Sequence, residues 1–206
     1  MVTIVDYGMG NLRSVQKAFE HLGFSAEVTD DARKVERAQR LVLPGVGAFG
    51  DCIKNLKQGG FVEAIHTHIH SGRPFLGICL GLQVLFESSE EFGDHTGLGV
   101  IPGKVEHFAE DMQIGGEYLK IPHMGWNQIQ IERECPLLRG LENGSYVYFV
   151  HSYRVMPTLT EDVLTTTDYG VRFCSAIWRE NVMATQFHPE KSQAVGLKIL
   201  KNFGEL

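Results

Sequence analysis

Pro74-Phe75-Leu76-Gly77-Ile78-Cys79-Leu80-Gly81-Leu82-Gln83 carries an apolar run into a helical pattern, with a cysteine between two glycines at the junction. The stretch reads as a buried strand that turns sharply into a helix, which makes the chain an α/β protein with a reactive group at a sheet edge. Glycine suits both flanks of so tight a turn, because a side chain there would obstruct the backbone. The turn would lift the thiol to the end of the sheet, beside the first N–H groups of the next helix. Those dipoles favour thiolate over thiol, and thiolate is the nucleophile. A buried structural cysteine is the other reading open to a lone Cys.

Working outward, short apolar runs alternate with amphipathic segments. Val2-Thr3-Ile4-Val5 and Arg40-Leu41-Val42-Leu43 predict strands, as does Pro74 to Ile78. Helical spacing runs from Leu12 to Leu22, near Cys52–Leu56, and from Phe61 to Ser71. This alternation predicts an open, mostly parallel sheet flanked by helices. After residue 95 the texture changes to an additional antiparallel, strand-rich portion. Its expected strands are Val100–Phe108, Asn127–Ile131, Tyr146–Val150, Ser152–Val155 and Ala176–Arg179, and a helix over Ala194–Phe203 closes the chain. With no repeat, linker or low-complexity segment, residues 1–206 are expected to form a single domain. Reactive groups in open sheets gather outside the carboxyl ends of the strands. The Cys79 turn, the Pro44-Gly45-Val46-Gly47 loop and the Asp6–Asn11 loop should therefore share one rim.

At 206 residues and 43% hydrophobic, the chain can bury one sizeable core. A formal net charge of −6 argues against nucleic-acid binding. No apolar stretch is long enough to span a bilayer, and the N-terminus lacks a signal-peptide pattern. Cys52, Cys79, Cys135 and Cys174 are widely spaced and form no CxxC pair, so neither a zinc site nor a disulfide framework is expected. A reduced, cytoplasmic setting fits these features. Asn143-Gly144-Ser145 then marks a turn rather than a glycosylation site.

Thiolate catalysis needs a base, and the base needs an orienting partner. Gln186-Phe187-His188-Pro189-Glu190 supplies both. Proline pushes His188 towards extended geometry, and residues two apart in an extended segment project to the same side. His188 and Glu190 are thus expected to face the thiol together, with the carboxylate fixing the imidazole. An H-P-E taken alone reads more readily as a polar surface turn; beside a glycine-flanked cysteine the balance shifts to the catalytic pair. Acyl transfer also needs donors for an oxyanion. Leu80 N–H is one candidate, and the Val46–Gly47 part of the glycine-rich loop could supply another; alone, that loop is only a flexible turn.

These segments together resemble the class I, triad-type glutamine amidotransferases. Gly77-Ile78-Cys79-Leu80-Gly81 with Gln83, the Pro44–Gly47 loop and His188-Pro189-Glu190 follow that family's order along nearly the whole chain. Three further segments resemble one member closely: Val5-Asp6-Tyr7-Gly8-Met9-Gly10-Asn11-Leu12-Arg13-Ser14, Pro122-His123-Met124-Gly125-Trp126-Asn127, and Tyr148-Phe149-Val150-His151-Ser152-Tyr153. The resemblance implies glutamine hydrolysis through a γ-glutamyl thioester on Cys79, with His188 moving the protons and Glu190 holding the imidazole. It implies that Val46, Gly47 and Leu80 surround the oxyanion, and that Gly45, Gln83, His151, Ser152 and Tyr153 bind the substrate. No metal or organic cofactor is implied. The implied partner is a (β/α)8-barrel cyclase, joined as a heterodimer, that consumes the ammonia. A stand-alone cysteine hydrolase of γ-glutamyl substrates, a glutaminase subunit serving another synthase, and a non-catalytic scaffold with a decayed site are the alternatives. The intact Cys79, His188 and Glu190 speak against the last.

Other features attract weaker readings. Gly8-Met9-Gly10 after a strand invites a dinucleotide-binding fingerprint, but Arg13 stands where its third glycine belongs. His66 and His70 share a helical face with no carboxylate beside them, so a solvated histidine face is expected there rather than a metal site. Cys52, Cys135 and Cys174 lack the glycine context and are expected to be structural. Trp126 and Tyr148 are core aromatics or interface anchors, with Tyr148 expected in the core.

Overall fold

The computed structural model describes residues 1–206, the side chain of Ile114 excepted. The first half runs β1 (Val2–Val5), α1 (Leu12–His21), β2 (Ala26–Thr29), α2 (Ala32–Arg37), β3 (Arg40–Gly45), α3 (Phe49–Gln58), α4 (Phe61–His70), β4 (Phe75–Cys79) and α5 (Leu80–Gln83). Then come β5 (Phe86–Ser89), β6 (His95–Thr96), β7 (Ile101–His107), β8 (Gln113–Ile114), β9 (Glu117–Tyr118), β10 (His123–Gln128) and β11 (Gln130–Ile131). The chain ends with β12 (Tyr146–His151), β13 (Tyr153–Pro157), β14 (Val163–Tyr169), β15 (Val171–Arg179), β16 (Val182–Thr185) and α6 (Gln193–Gly204).

Five parallel strands, ordered β2-β1-β3-β4-β16, form the central block of the large sheet. Their side chains alternate between two cores, as a period of two requires. Val2, Ile4, Val42, Leu76 and Ile78 pack with Val15 and Phe19 of α1 and Ile199, Leu200 and Phe203 of α6. Val5, Leu41, Leu43 and Phe75 face the other way, onto Cys52 and Leu56 of α3 and Phe61 and Ile65 of α4. Both faces are therefore dry along β1, β3 and β4, which is why these strands read as apolar runs, while the edge strand β2 is only partly buried. Beyond β16 the sheet continues through β15, β13 and β7 by antiparallel pairing. β10 and β12 form a separate antiparallel ribbon. Among the described residues, no helix is long and apolar enough to cross a membrane.

Several elements depart from expectation. β2, α2, β14 and β16 were not foreseen; β16 is only four residues, and its run reads equally as helix until β4 and β15 close on it. The helix after Cys79 is a single buried turn, because Val84-Leu85-Phe86 leads directly into β5. So short a helix carries little macrodipole. His66 is partly exposed and His70 exposed, whereas His68, which points away from that face, is fully buried with its Nε2 meeting the Pro74 carbonyl at 3.1 Å. Tyr148 is half-buried on the open side of the ribbon, its ring T-shaped against Trp126. Alternation along β12 sends Val147, Phe149 and His151 inward and Tyr146, Tyr148 and Val150 outward.

Candidate active site

The carboxyl ends of β1, β3, β4 and β16 lie on one rim because these strands are parallel neighbours. Register places Gly45 opposite Cys79. β16 delivers Gln186 and His188 to the same rim directly after Thr185.

Cys79 has φ 56° and ψ −108°, in the left-handed half of the map. A non-glycine residue held there costs on the order of 1–3 kcal/mol, which the surrounding packing must offset. The flanking glycines are required by contact. A Cβ on Gly81 would be driven into the Leu43 carbonyl oxygen, and one on Gly77 would lie 2.5 Å from the Gly81 carbonyl oxygen. The turn thus presses strand and helical turn together at distances that only glycine allows.

His188 has φ −97° and ψ 98°, extended as its proline neighbour demands. Pro189–Lys191 is a single 3-10 turn, so Glu190 reaches the imidazole by the turn and not along an extended segment as expected. Glu190 Oε1 lies 2.8 Å from His188 Nδ1, and both side chains are almost wholly buried. The other nitrogen, Nε2, is buried and makes no hydrogen bond among the described residues. Burial disfavours the charged ring, but Cys79 and Glu190 outweigh it and raise the imidazole pKa to about 10. Ser192 locks this turn: its hydroxyl donates to the His188 carbonyl at 2.7 Å and accepts the Tyr148 N–H at 3.0 Å. His188 N–H donates to the Tyr148 carbonyl at 2.9 Å.

A cavity of about 310 Å³ joins these groups. Val46, Gly47, Cys79, Leu80, Gln83, His151, Ser152, Tyr153 and His188 all line it. Gly45 stands behind this lining, beside Cys79 in register, and Glu190 stands behind His188. A larger cavity, about 530 Å³, lies along residues 131–141 and contains none of the candidate groups.

Some neighbours of the thiol carried little signal in the sequence. Glu91, half-buried, lines the cavity, and its Oε2 accepts the Phe49 N–H at 2.6 Å. That bond caps α3, whose flanking Ala48 has no side chain to do so. At the other end of the 45–48 loop, the Tyr7 hydroxyl donates to the Pro44 carbonyl at 3.0 Å. The loop is therefore anchored on both sides, with Gly47 at φ 98° between the anchors. Gln186 is fully buried and donates Nε2–H to Cys79 Sγ at 3.7 Å. His151 donates from Nδ1 to the Tyr153 carbonyl at 2.8 Å, and its Nε2 meets His123 Nδ1 at 3.0 Å.

The remaining cysteines contrast with Cys79. Cys52, Cys135 and Cys174 are free and buried outside this cavity. Burial pushes the Cys52 thiol up to about 12 and raises those of Cys135 and Cys174 as well. Among the described residues, no group of three or more His, Cys, Asp or Glu side chains could hold a metal ion.

Residues 3–205 match the family described as Glutamine amidotransferase class-I. Proteins named imidazole glycerol phosphate synthase subunit HisH are close in sequence. That of Syntrophotalea carbinolica is 65% identical over 206 residues, covering 100% of both chains. That of Geobacter sulfurreducens is 61% identical over 100% of this chain and 98% of its own. The Aquifex aeolicus protein of that name is 55% identical, with 97% and 94% covered. Among solved structures, a glutamine amidotransferase superposes with a TM-score of 0.74 at 19% identity, covering 100% of both chains. PurLQS from Thermotoga maritima gives 0.72 at 19% identity over 99% of this chain and 95% of that one. At such low identity these two likenesses speak for the fold alone.

Proposed function

The chain belongs to the class-I glutamine amidotransferase family, and from that premise we propose that it is the glutaminase subunit of an imidazole glycerol phosphate synthase. It hydrolyses glutamine to glutamate and ammonia and hands the ammonia to a partner cyclase in histidine biosynthesis. The observation that carries this reading is the buried His188–Glu190 pair, whose free Nε2 shares one cavity with the strained Cys79 turn.

The Cys79 thiolate attacks the side-chain amide carbon of glutamine, and the carbonyl π electrons move onto oxygen. Leu80 N–H and the Val46–Gly47 peptide receive that oxyanion; losing one such donor typically costs about 10²–10³ in rate. Collapse breaks the C–N bond, and protonated His188 gives its Nε2 proton to the departing nitrogen, releasing ammonia. A γ-glutamyl thioester remains. His188, now neutral, takes a proton from water as that water attacks the thioester, and glutamate leaves with the thiolate restored. Glu190 holds the ring's tautomer throughout. Gln83, Gly45 and the His151-Ser152-Tyr153 turn seat the amino-acid end of the substrate, and the Glu91 carboxylate suits its α-ammonium. Thiol, imidazole and water supply every bond change, so the cycle needs no metal or organic cofactor.

The partner in this reading is a (β/α)8-barrel cyclase, joined as a heterodimer. Met124, Trp126 and Tyr146, 66%, 46% and 54% exposed, lie on the outer face of the β10–β12 ribbon. Val150 on that same face lines the cavity. An apolar face bordering the site suits a partner that receives ammonia there. Residues 1–206 act as one glutaminase domain in a cytoplasmic heterodimer.

The test is co-purification with a candidate cyclase, then glutaminase assay with and without the cyclase and its substrate. Partner and substrate together should raise the rate, and Cys79→Ala should abolish glutamine-dependent synthesis while synthesis from ammonium salt persists. Full-speed glutamine turnover by the isolated chain, indifferent to the cyclase, would sink the subunit reading.

A further inference from the structure

The Gln186 amide contacts the thiol, yet no step above uses it. The orientation of that amide follows from the chemistry of its neighbours. The Tyr153 carbonyl can only accept, so Gln83 turns Nε2 towards it, at 3.1 Å. The second hydrogen on that nitrogen meets Gln186, also at 3.1 Å, which obliges Gln186 to present Oε1 there. Its Nε2 is left for Cys79 Sγ, at 3.7 Å. Gln186 cannot swing away, because its backbone N–H is held by the Ser175 carbonyl at 2.8 Å and its side chain is fully buried.

The aim of this pair is set from further off. Tyr153's carbonyl also accepts from His151 Nδ1, which must therefore carry the ring proton. His151 Nε2 then accepts from His123 Nδ1, and His123 Nε2 accepts from Asn127 Nδ2 at 3.2 Å. Donors thus point one way from Asn127 to Tyr153, and both imidazoles are neutral. Burial agrees, lowering His123 to about 4 and His151 to about 3.

We propose that Gln186 is a further catalytic residue: its amide N–H steadies the negative sulfur of Cys79, aimed by a buried hydrogen-bond chain through Gln83, Tyr153, His151, His123 and Asn127. A hydrogen bond to the charged form of a group favours that form. An amide does this without placing a second cation beside His188 and without competing for its proton. The inference rests on Cys79 being the nucleophile, as proposed above. Titratable groups around the sulfur are His188 with Glu190 behind it, Tyr7 from the loop after β1, Glu91 from the loop after β5 and His151 of β12. None is altered by changing Gln186.

The experiment measures alkylation of the full chain by iodoacetamide between about pH 5 and 10, with each cysteine followed by peptide mass spectrometry. Gln186→Met and Gln186→Leu both remove the donor and keep an uncharged side chain, so either suffices if the other folds poorly. Each should move the Cys79 labelling profile about one unit to higher pH and slow labelling near neutrality about tenfold, the size of one hydrogen bond to a charged group. A profile unchanged from the parent, with Cys79 still the labelled thiol, overturns the role of Gln186 and leaves the nucleophile standing. Labelling of Cys52, Cys135 or Cys174 in place of Cys79 in the parent chain overturns both.

Discussion

His188, His151 and His123 stand in one corner of the fold, and their neighbours hold them in opposite states. Glu190 and Cys79 keep His188 protonated well above the usual imidazole range. His151 and His123 hydrogen-bond to each other, a carbonyl and an amide, and burial keeps them neutral, with the nearby His188 adding to the effect at His151. The neutral pair makes stability fall with acid. The unfolded chain takes up a proton at His123 near its ordinary 6.5, whereas the folded chain resists until about 4. Stability from that site is whole above about pH 6.5 and is lost as pH falls towards 4, at up to about 1.4 kcal/mol per unit. Urea melts at pH 7 and pH 5 should show this loss, and His123→Gln should cut it by about half, because His151 is held neutral in the same way; an undiminished loss in the variant would contradict the assignment.

At the scale of elements, the site depends on how closely α5 can lie against β3 and β4. Gly81 sits where any Cβ would collide with the Leu43 carbonyl, a backbone atom of a central strand that cannot retreat. Gly81→Ala should destabilise the fold by about 3 kcal/mol or more, read as a lowered urea midpoint or as loss of soluble protein. A variant as stable as the parent would show that the elbow has slack. The two glycines beside Cys79 were legible in the sequence for this steric reason. The single-turn length of α5 was not, because its end is set by β5 pairing with β7.

Over the whole molecule, the ribbon of β10 and β12 has two unlike faces. His123, Val147, Phe149 and His151 are buried under it, while Met124, Trp126 and Tyr146 stand open beside the cavity. If this outer face receives the cyclase, Trp126→Ala should weaken the complex at least about tenfold, measured by titration calorimetry, and leave the chain's own melting nearly unchanged. Equal affinity would place the partner elsewhere. The sequence by itself determined the glycine-flanked thiol, the strand–helix alternation that makes the sheet, and the extended backbone of His188 before its proline, because sterics, periodicity and proline geometry act over a few neighbouring residues; the 3-10 turn that brings Glu190 to the imidazole was not legible there. Only the tertiary structure decided which strands adjoin. The insertion of β16 between β4 and β15 carries His188 and Gln186 to Cys79, and the pairing of β10 with β12 brings His123 to His151. Those choices follow from burying both faces of a sheet and satisfying its buried amides, conditions met between segments far apart in the chain.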